Sequence, residues 1–164
     1  MIIIIKIIIS LLATILLAVL VNTYEDIKKR NKLKMSFKEA LDLVELPIVT
    51  FLNKGIKLNF LLDTGSSQSI INESMLPSLD TKKSEDSMII VGVEGNKVSS
   101  DLCTMKVGYK DQEFEHNFAI KDLDEAFGVV KQESGVQIHG ILGSDFLQKY
   151  KYVLDFKELI AYPK

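Results

Sequence analysis

The 164-residue sequence predicts a mainly β domain of closed or partly closed architecture with one short helix near its C-terminus, preceded by an N-terminal transmembrane helix. Two observations support this prediction. After Pro47 the chain consists of short apolar runs separated by turn residues, which is typical of closed β architectures. Before it, residues 1–21 are almost entirely Ile, Leu, Val and Ala, and about 20 such residues span the hydrocarbon core of a bilayer. The predicted organisation is an anchor at residues 1–22, a basic linker with a short helix at residues 23–45, and a β domain at residues 46–164.

The apolar N-terminal segment has a second interpretation, a secretory signal peptide. The residues after Leu20 read Val-Asn-Thr-Tyr, without the small-residue pattern of a cleavage site, so an uncleaved single-pass anchor in a lipid bilayer is favoured. A group of basic residues follows it: Lys28, Lys29, Arg30, Lys32, Lys34 and Lys38. Basic flanks usually stay in the cytoplasm, whereas a short tail before an apolar run also resembles a signal anchor that exports the following domain. The side of the membrane on which the β domain lies therefore stays open.

Composition argues against several kinds of site. Cys103 is the only cysteine, so neither an intrachain disulfide nor a cysteine-based zinc site is possible. His116 and His139 are too far apart to form a recognisable metal motif, and we interpret both as packed or surface residues. We expect no metal and no cofactor. The net charge is only −2 and no aromatic residues interleave the basic group, so we interpret that group as a linker near anionic headgroups and expect no nucleic-acid binding.

The individual elements follow from apolar periodicity and turn residues. Ser36 and Glu39 form a capping-box pattern, which predicts a short helix that Pro47 ends. Hairpins are predicted to join residues 48–52 to 56–62, 88–93 to 98–107, and 152–156 to 159–162. Further strands are predicted at residues 70–71, 114–120 and 136–142, the last interrupted by Gly140, and a short helix at residues 144–150; residues 122–131 read as weakly helical or irregular.

One stretch combines an acid and hydroxyl residues directly after a strongly apolar run: NFLLDTGSSQSII, residues 59–71. A solvated turn at a strand end is one interpretation. The other is that Asp63 is an acid at the floor of a cleft, where Gly65 allows close backbone approach and the hydroxyls of Thr64 and Ser66 orient the carboxylate. Hydrolysis of an amide needs a base for water and an acid for the carbonyl oxygen, and two carboxylates that share one proton supply both.

The second acid of such a pair has three possible sources in this sequence. Asp-Thr-Gly occurs once, so a second copy of the chain, related by a two-fold axis, can supply its own Asp63. Asp145 and Asp155 are alternatives within one chain, but we interpret Asp145 as a first-turn helix residue and Asp155 as a hairpin residue. Ser67 and Ser69 have no histidine nearby in the sequence, which argues against serine nucleophiles.

The residues LLDTGSS resemble the active-site loop of retropepsin-like aspartic proteases. A second match is IHGILGSDFL, in which Ile141, Leu142 and Gly143 precede a short helix, like the family's segment that packs against the catalytic loop in a ψ-shaped motif. VGVEGNKV is similar in position to the family's flap, and YVLDFKELIAY is similar to its closing hairpin. The resemblance covers residues 46–162 and implies a retropepsin-like closed β-barrel, one half of an acid protease.

The resemblance also implies a role for each matched residue. Asp63 would be the catalytic acid, Thr64 would hydrogen-bond across the dimer, Gly65 would lie beside the paired acids, and Ser66 would hydrogen-bond the outer oxygen of the carboxylate. The flap residues that contact substrate would be Val93, Glu94 and Gly95, although Glu94 places a charge near the flap tip where the family carries more glycine.

Together these features predict a membrane-anchored, homodimeric aspartic endopeptidase, a hydrolase in which Asp63 and its symmetry mate activate water. Its substrate would be a peptide or protein that lies extended beneath the flaps. The alternative is a non-catalytic module of the same fold that serves dimerisation or peptide binding at the membrane. A third possibility is a protease that depends on an accessory partner or on its own processing.

Overall fold

The structure is a computed structural model that describes residues 14–21, 35–91 and 97–164. The chain divides into two compact units, Met1–Lys34 and Met35–Lys164. In the first unit, residues 14–21 are helical (α1) and exposed. The rest of the predicted anchor and most of the predicted linker lie outside the described residues. In the described part of the chain, no helix is both long and apolar enough to span a membrane.

The second unit is mainly β. Its described helices are α2 (Phe37–Val44), α3 (Asp124–Ser134), α4 (Ser144–Lys149) and a 3-10 helix (Glu73–Ser78). Its described strands are β1 (Ile48–Asn53), β2 (Ile56–Leu62), β3 (Ile70–Asn72), β4 (Thr81–Val91), β5 (Lys97–Tyr109), β6 (Gln112–Lys121), β7 (Gly140–Leu142), β8 (Tyr152–Asp155) and β9 (Ile160–Pro163).

The predicted closed barrel is confirmed. Its strands follow the order β1-β2-β7-β3-β6-β5, and pairing of Leu52 in β1 with Gly108 in β5 closes the ring. Strand β4 extends the sheet beyond β5, and β8 and β9 form a separate two-stranded sheet. The predicted hairpin of β1 and β2 turns at Lys54 and Gly55, both of which have positive φ; such a turn favours glycine because it has no Cβ.

The barrel interior is an aromatic core. Phe51, Phe60, Phe114, Phe118 and Phe146 are all less than 5% exposed. Phe51 packs edge-on against Phe60 and Phe146, with ring centroids 5.9 Å apart in both pairs. Because Phe146 belongs to α4, this contact fixes that helix against the barrel. Burial of rings in edge-to-face arrangements adds to the free energy of folding beyond the area they remove from water.

The compact unit begins at Met35, earlier than the predicted boundary at residue 46. Backbone N–H of Thr50 donates to the Met35 carbonyl (3.1 Å), and Met35 N–H donates to the Thr50 hydroxyl (2.6 Å). The predicted capping box is present at the start of α2, and Phe37 and Ala40 of that helix are buried. Helix α2 is therefore part of the β unit, although its exposed face reads as linker in the sequence.

Other elements differ from the sequence prediction. More than one short helix is present, because residues 124–134 form a regular helix that begins with two acidic residues and ends at Gly135 in the left-handed conformation. Strand β7 begins at Gly140 and is not interrupted by it. A Cβ at this position would overlap the Ile70 carbonyl and lie 2.8 Å from the Phe60 ring, so the glycine is what lets β7 fit beside β3. Strand β4 begins at Thr81, well before the predicted residue 88.

Candidate active site

The Asp63 loop, residues 63–69, directly follows β2. The Asp63 carboxylate is partly buried, and its Oδ1 accepts a hydrogen bond from Gly65 N–H at 2.8 Å. Ser66 N–H donates to the Asp63 carbonyl at 3.2 Å. Within residues 35–91 and 97–164, Oδ2 of Asp63 accepts no hydrogen bond. The loop is thus a side-chain turn at a strand end, and the same turn holds the acid by one of its two carboxylate oxygens.

Gly65 lies against the Asp63 carboxylate, and Thr64 lies between the two residues. A Cβ on Gly65 would lie 3.2 Å from Asp63 Oδ1, so a side chain there would press on the carboxylate. Thr64 is exposed; the hydrogen bond predicted for it joins two chains and stays a prediction. The Ser66 hydroxyl donates to the Gln68 carbonyl at 2.7 Å and not, within this single chain, to Asp63.

The structure brings the ψ segment, Ile141, Leu142 and Gly143, next to the Asp63 loop. Strand β7 pairs in parallel with β2 and antiparallel with β3. Asp63 N–H donates to the Leu142 carbonyl at 3.0 Å. A Cβ on Gly143 would lie 2.6 Å from the Gln68 backbone, closer than real side chains pack, so only glycine fits. The two segments that the sequence separates therefore form one unit around the acid.

A polar cluster that sequence reasoning missed holds the far end of the Asp63 loop. Oδ2 of Asp145 accepts from Ser69 N–H (3.0 Å), and Oδ1 accepts from the Ser69 hydroxyl (2.7 Å). His116 Nε2 lies 3.0 Å from Oδ2 of Asp145. The Ser69 oxygen in turn accepts from Gly143 N–H at 3.1 Å. Asp145 does lie in the first turn of α4, as predicted, but its carboxylate has this further function.

Burial and hydrogen bonding act on Asp145 in opposite directions. Burial by itself raises the pKa of a carboxyl, yet the hydrogen bonds from His116, Ser69 and Phe146 N–H hold the pKa of Asp145 below its usual value. The carboxylate is therefore ionised at neutral pH and can only accept hydrogen bonds. No signal of local spacing reveals this cluster, because its members come from three separate parts of the chain.

The predicted flap residues Val93, Glu94 and Gly95 lie outside the described residues. The strands on either side of them, β4 and β5, pair antiparallel up to Val91 and Lys97. Among the described residues, no group of three or more His, Cys, Asp or Glu could hold a metal ion. Cys103 is buried in the core, and burial raises the pKa of its thiol to about 11, so it is unreactive near neutral pH.

A family model described as aspartyl protease matches residues 49–146, more than half of the chain. The match includes the Asp63 loop, the ψ segment and Asp145. The chain belongs to the aspartyl protease family. The recognition of a retropepsin-like aspartic protease from its two motifs is thereby confirmed.

Two solved structures are similar to this chain. The protease of EIAV in complex with the inhibitor HBY-793 is 24% identical, with a TM-score of 0.49, over 66% of this chain and 90% of that chain. The retroviral protease-like domain of Ddi1 from Leishmania major is 15% identical, with a TM-score of 0.47, over 73% of this chain and 88% of that chain. No curated protein matches this chain.

Proposed function

We propose that the protein is an aspartic endopeptidase that acts as a homodimer, in which each chain supplies one Asp63. The observation that carries this proposal is the geometry of the Asp63 carboxylate, which is partly buried, is bonded by Gly65 N–H at Oδ1, and accepts no hydrogen bond at Oδ2 from the described residues. The sequence contains Asp-Thr-Gly once, so a catalytic pair needs a second copy. Thr64 is exposed beside the acid, where a two-fold axis would bring the two loops together.

In the proposed reaction the two Asp63 carboxyls share one proton, because two carboxyl groups about 3 Å apart are not both ionised. The ionised carboxylate takes a proton from water as the oxygen attacks the peptide carbonyl carbon. The protonated carboxyl gives its proton to the carbonyl oxygen. When the tetrahedral intermediate collapses, the C–N bond breaks and the amine takes a proton from one carboxyl of the pair. The other carboxylate takes the proton of one hydroxyl of the intermediate as the C=O bond re-forms, so the pair again holds one proton. The reaction uses no covalent intermediate.

The proposed substrate is an extended peptide that lies in the dimer cleft. Strands β4 and β5, which lead to and from residues 92–96, would cover it and hold it by strand-like backbone hydrogen bonds. We further propose that residues 1–22 anchor the chain to a membrane. Confinement to a surface would raise the effective concentration of one copy for another and so favour the dimer.

The first test is hydrolysis of an unfolded, fluorescently labelled protein by the full chain between about pH 3 and pH 7. We expect Asp63→Asn to lower the rate about a thousandfold or more, because an amide cannot take the proton from water. Asp80→Asn is the matched control: Asp80 is exposed and pairs with Lys54 at the β1–β2 turn, at the other end of β2. Equal activity of wild type and Asp63→Asn would refute the protease and leave the non-catalytic module.

A mixing experiment tests the dimer separately. Wild-type and Asp63→Asn chains are combined in equal amounts and allowed to exchange subunits. If both acids are required, only the dimers of two wild-type chains are active. Random pairing then gives the mixture about one quarter of the activity of the same total amount of wild-type protein. If each chain works alone, the mixture would retain about one half of that activity, and this result would exclude the shared pair.

A further inference from the structure

The Asp63 loop is bonded at three points along its length to the ψ segment and to the first turn of α4, which follows it. Asp63 N–H donates to the Leu142 carbonyl at the start of the loop. In the middle, the Ser66 carbonyl accepts from Ser144 N–H (2.8 Å) and from the Ser144 hydroxyl (3.0 Å). At the end, Ser69 bonds to Asp145. The first two points involve uncharged groups, and the third rests on an ionised carboxylate.

Every polar group of Ser69 is used at this third point. Its N–H and hydroxyl donate to the two oxygens of Asp145, its hydroxyl oxygen accepts from Gly143 N–H, and its carbonyl accepts from Ala119 N–H of β6 at 2.9 Å. Ser69 is 1% exposed. Hydrogen bonds to a charged group are about twice as strong as neutral ones, and in a buried site the loss of a partner leaves the remaining group unsatisfied.

Asp145 is itself held from two further directions. Its own helix donates through Phe146 N–H (2.7 Å), and His116 approaches from β6. Because a carboxylate only accepts, the geometry places a proton on Nε2 of His116. The side chain of His116 is 7% exposed and that of Asp145 is 23% exposed, so little solvent competes for these bonds.

We propose that Asp145 is a positioning residue for Asp63: it clamps the far end of the Asp63 loop through Ser69, with His116 as its support. The clamp does not touch substrate. Its effect is to hold residues 63–69 in one conformation, so that Oδ2 of Asp63 points the same way in every molecule. Its catalytic consequence rests on the proposed function, whereas its effect on the loop does not.

Two variants of the full chain test the clamp. Asp145→Asn keeps the shape of the side chain but replaces one acceptor oxygen by an NH₂ group. At the Oδ2 position that group faces Ser69 N–H and the His116 ring, and at the Oδ1 position it faces Phe146 N–H and the Ser69 hydroxyl. Ser69→Ala removes the hydroxyl and leaves the Asp145–His116 pair intact. In both variants we expect peptides that cover residues 63–70 to exchange backbone hydrogens about tenfold faster. Peptides from the β1–β2 hairpin, and all peptides of the control Asp80→Asn, should exchange as in wild type.

Activity supplies a second readout. Because the clamp orients Asp63 without contacting substrate, we expect kcat to fall about tenfold in both variants while KM stays within about twofold. Unchanged exchange at residues 63–70 in folded Asp145→Asn and Ser69→Ala would overturn the clamp. If Asp145→Asn unfolds, Ser69→Ala decides by the same criterion. A wild-type protein without activity would refute the proposed function, and the exchange result would still decide whether Asp145 holds the loop.

Discussion

In two serine–carboxylate pairs of this protein the N–H and the hydroxyl of the serine both donate to the carboxylate, but the two pairs lie in different surroundings. In one, Ser36 N–H and its hydroxyl donate to Oε2 of Glu39 (2.9 and 2.8 Å), and the hydroxyl oxygen accepts from Glu39 N–H (3.3 Å). In the other, Ser69 N–H and its hydroxyl donate to Asp145, and the hydroxyl oxygen accepts from Gly143 N–H. In both pairs the carboxylate lies in the first turn of a helix, and the pKa of its carboxyl is lowered.

The settings differ in sequence separation and in burial. Ser36 and Glu39 are three residues apart and exposed, whereas Ser69 and Asp145 are 76 residues apart and partly or fully buried. The first pair stabilises one turn of one helix. The second pair joins the loop that carries Asp63 to the helix that follows the ψ segment. The comparison shows that the same chemistry is a local cap in one place and a tertiary link in the other.

The largest expected effect on stability comes from a side chain at Gly143, where the ψ segment passes close to the backbone of the Asp63 loop. Gly143→Ala would place a Cβ 2.6 Å from the Gln68 backbone, so we expect a loss of about 3 kcal/mol in the free energy of unfolding, measured by chemical denaturation of the full chain. Gly128→Ala is the control. Its Cβ would meet nothing within 4 Å. Because Gly128 lies in helix α3, the alanine should raise the free energy of unfolding by about 0.5–1 kcal/mol. Equal stability of Gly143→Ala and wild type would contradict the packing described.

Ser69→Ala should have the next largest effect. It removes a hydrogen bond to an ionised carboxylate and leaves the buried Gly143 N–H without its acceptor, so we expect a loss of about 2 kcal/mol in the free energy of unfolding. The measurement is the same denaturation curve. A loss no greater than that of Ser36→Ala would show that burial does not distinguish the two pairs.

The pH dependence of stability tests the charge on each pair. The pKa of Asp145 in the folded state is lower than in the unfolded chain, where it is about 3.9. Its stabilisation is therefore complete above about pH 4 and is lost as the pH falls through the folded-state pKa. We expect the difference in Tm between wild type and Asp145→Asn to be present at pH 7 and to shrink below about pH 4.

Glu39→Gln provides the comparison for that titration. The pKa of Glu39 is lowered by its hydrogen bonds with the backbone and then the side chain of Ser36, so its contribution has the same sign and is lost as the pH falls. A difference in Tm for Asp145→Asn that does not depend on pH between 7 and 3 would show that the carboxylate charge does not stabilise the fold.

The smallest effect is expected at the exposed pair. Ser36→Ala removes the N-cap of α2 and should lower the free energy of unfolding by about 1 kcal/mol, in the range usual for such caps. Ser36→Thr keeps a hydroxyl and should restore most of the loss. A larger loss in the free energy of unfolding for Ser36→Ala than for Ser69→Ala would contradict the expectation that the buried pair contributes more to stability.

Much of the fold could be predicted because it is encoded within short stretches. The S-x-x-E pattern predicted the cap of α2, and alternating apolar runs around Asn53–Gly55 and at the C-terminus predicted two hairpins that the structure contains. Helix α3 was harder to predict because none of its residues is buried, so its sequence carries no clear apolar face. Strand β7 was predicted too long because Val136 and Ile138 are apolar residues that are buried in the core but lie outside the strand. Gln137 and His139 between and after them form hydrogen bonds with Asn59.

The sequence by itself determined the family, the loop that carries Asp63 and the presence of the Gly143 segment, since each is a short motif whose residues act together locally. Only the tertiary structure decided that Asp145 and His116 support this loop, that Leu52 and Gly108 close the barrel, and that α2 belongs to the β unit. The physical reason is that a hydrogen bond between neighbours depends on local backbone geometry. A bond across 76 residues depends on the order in which strands pair, which no local pattern specifies.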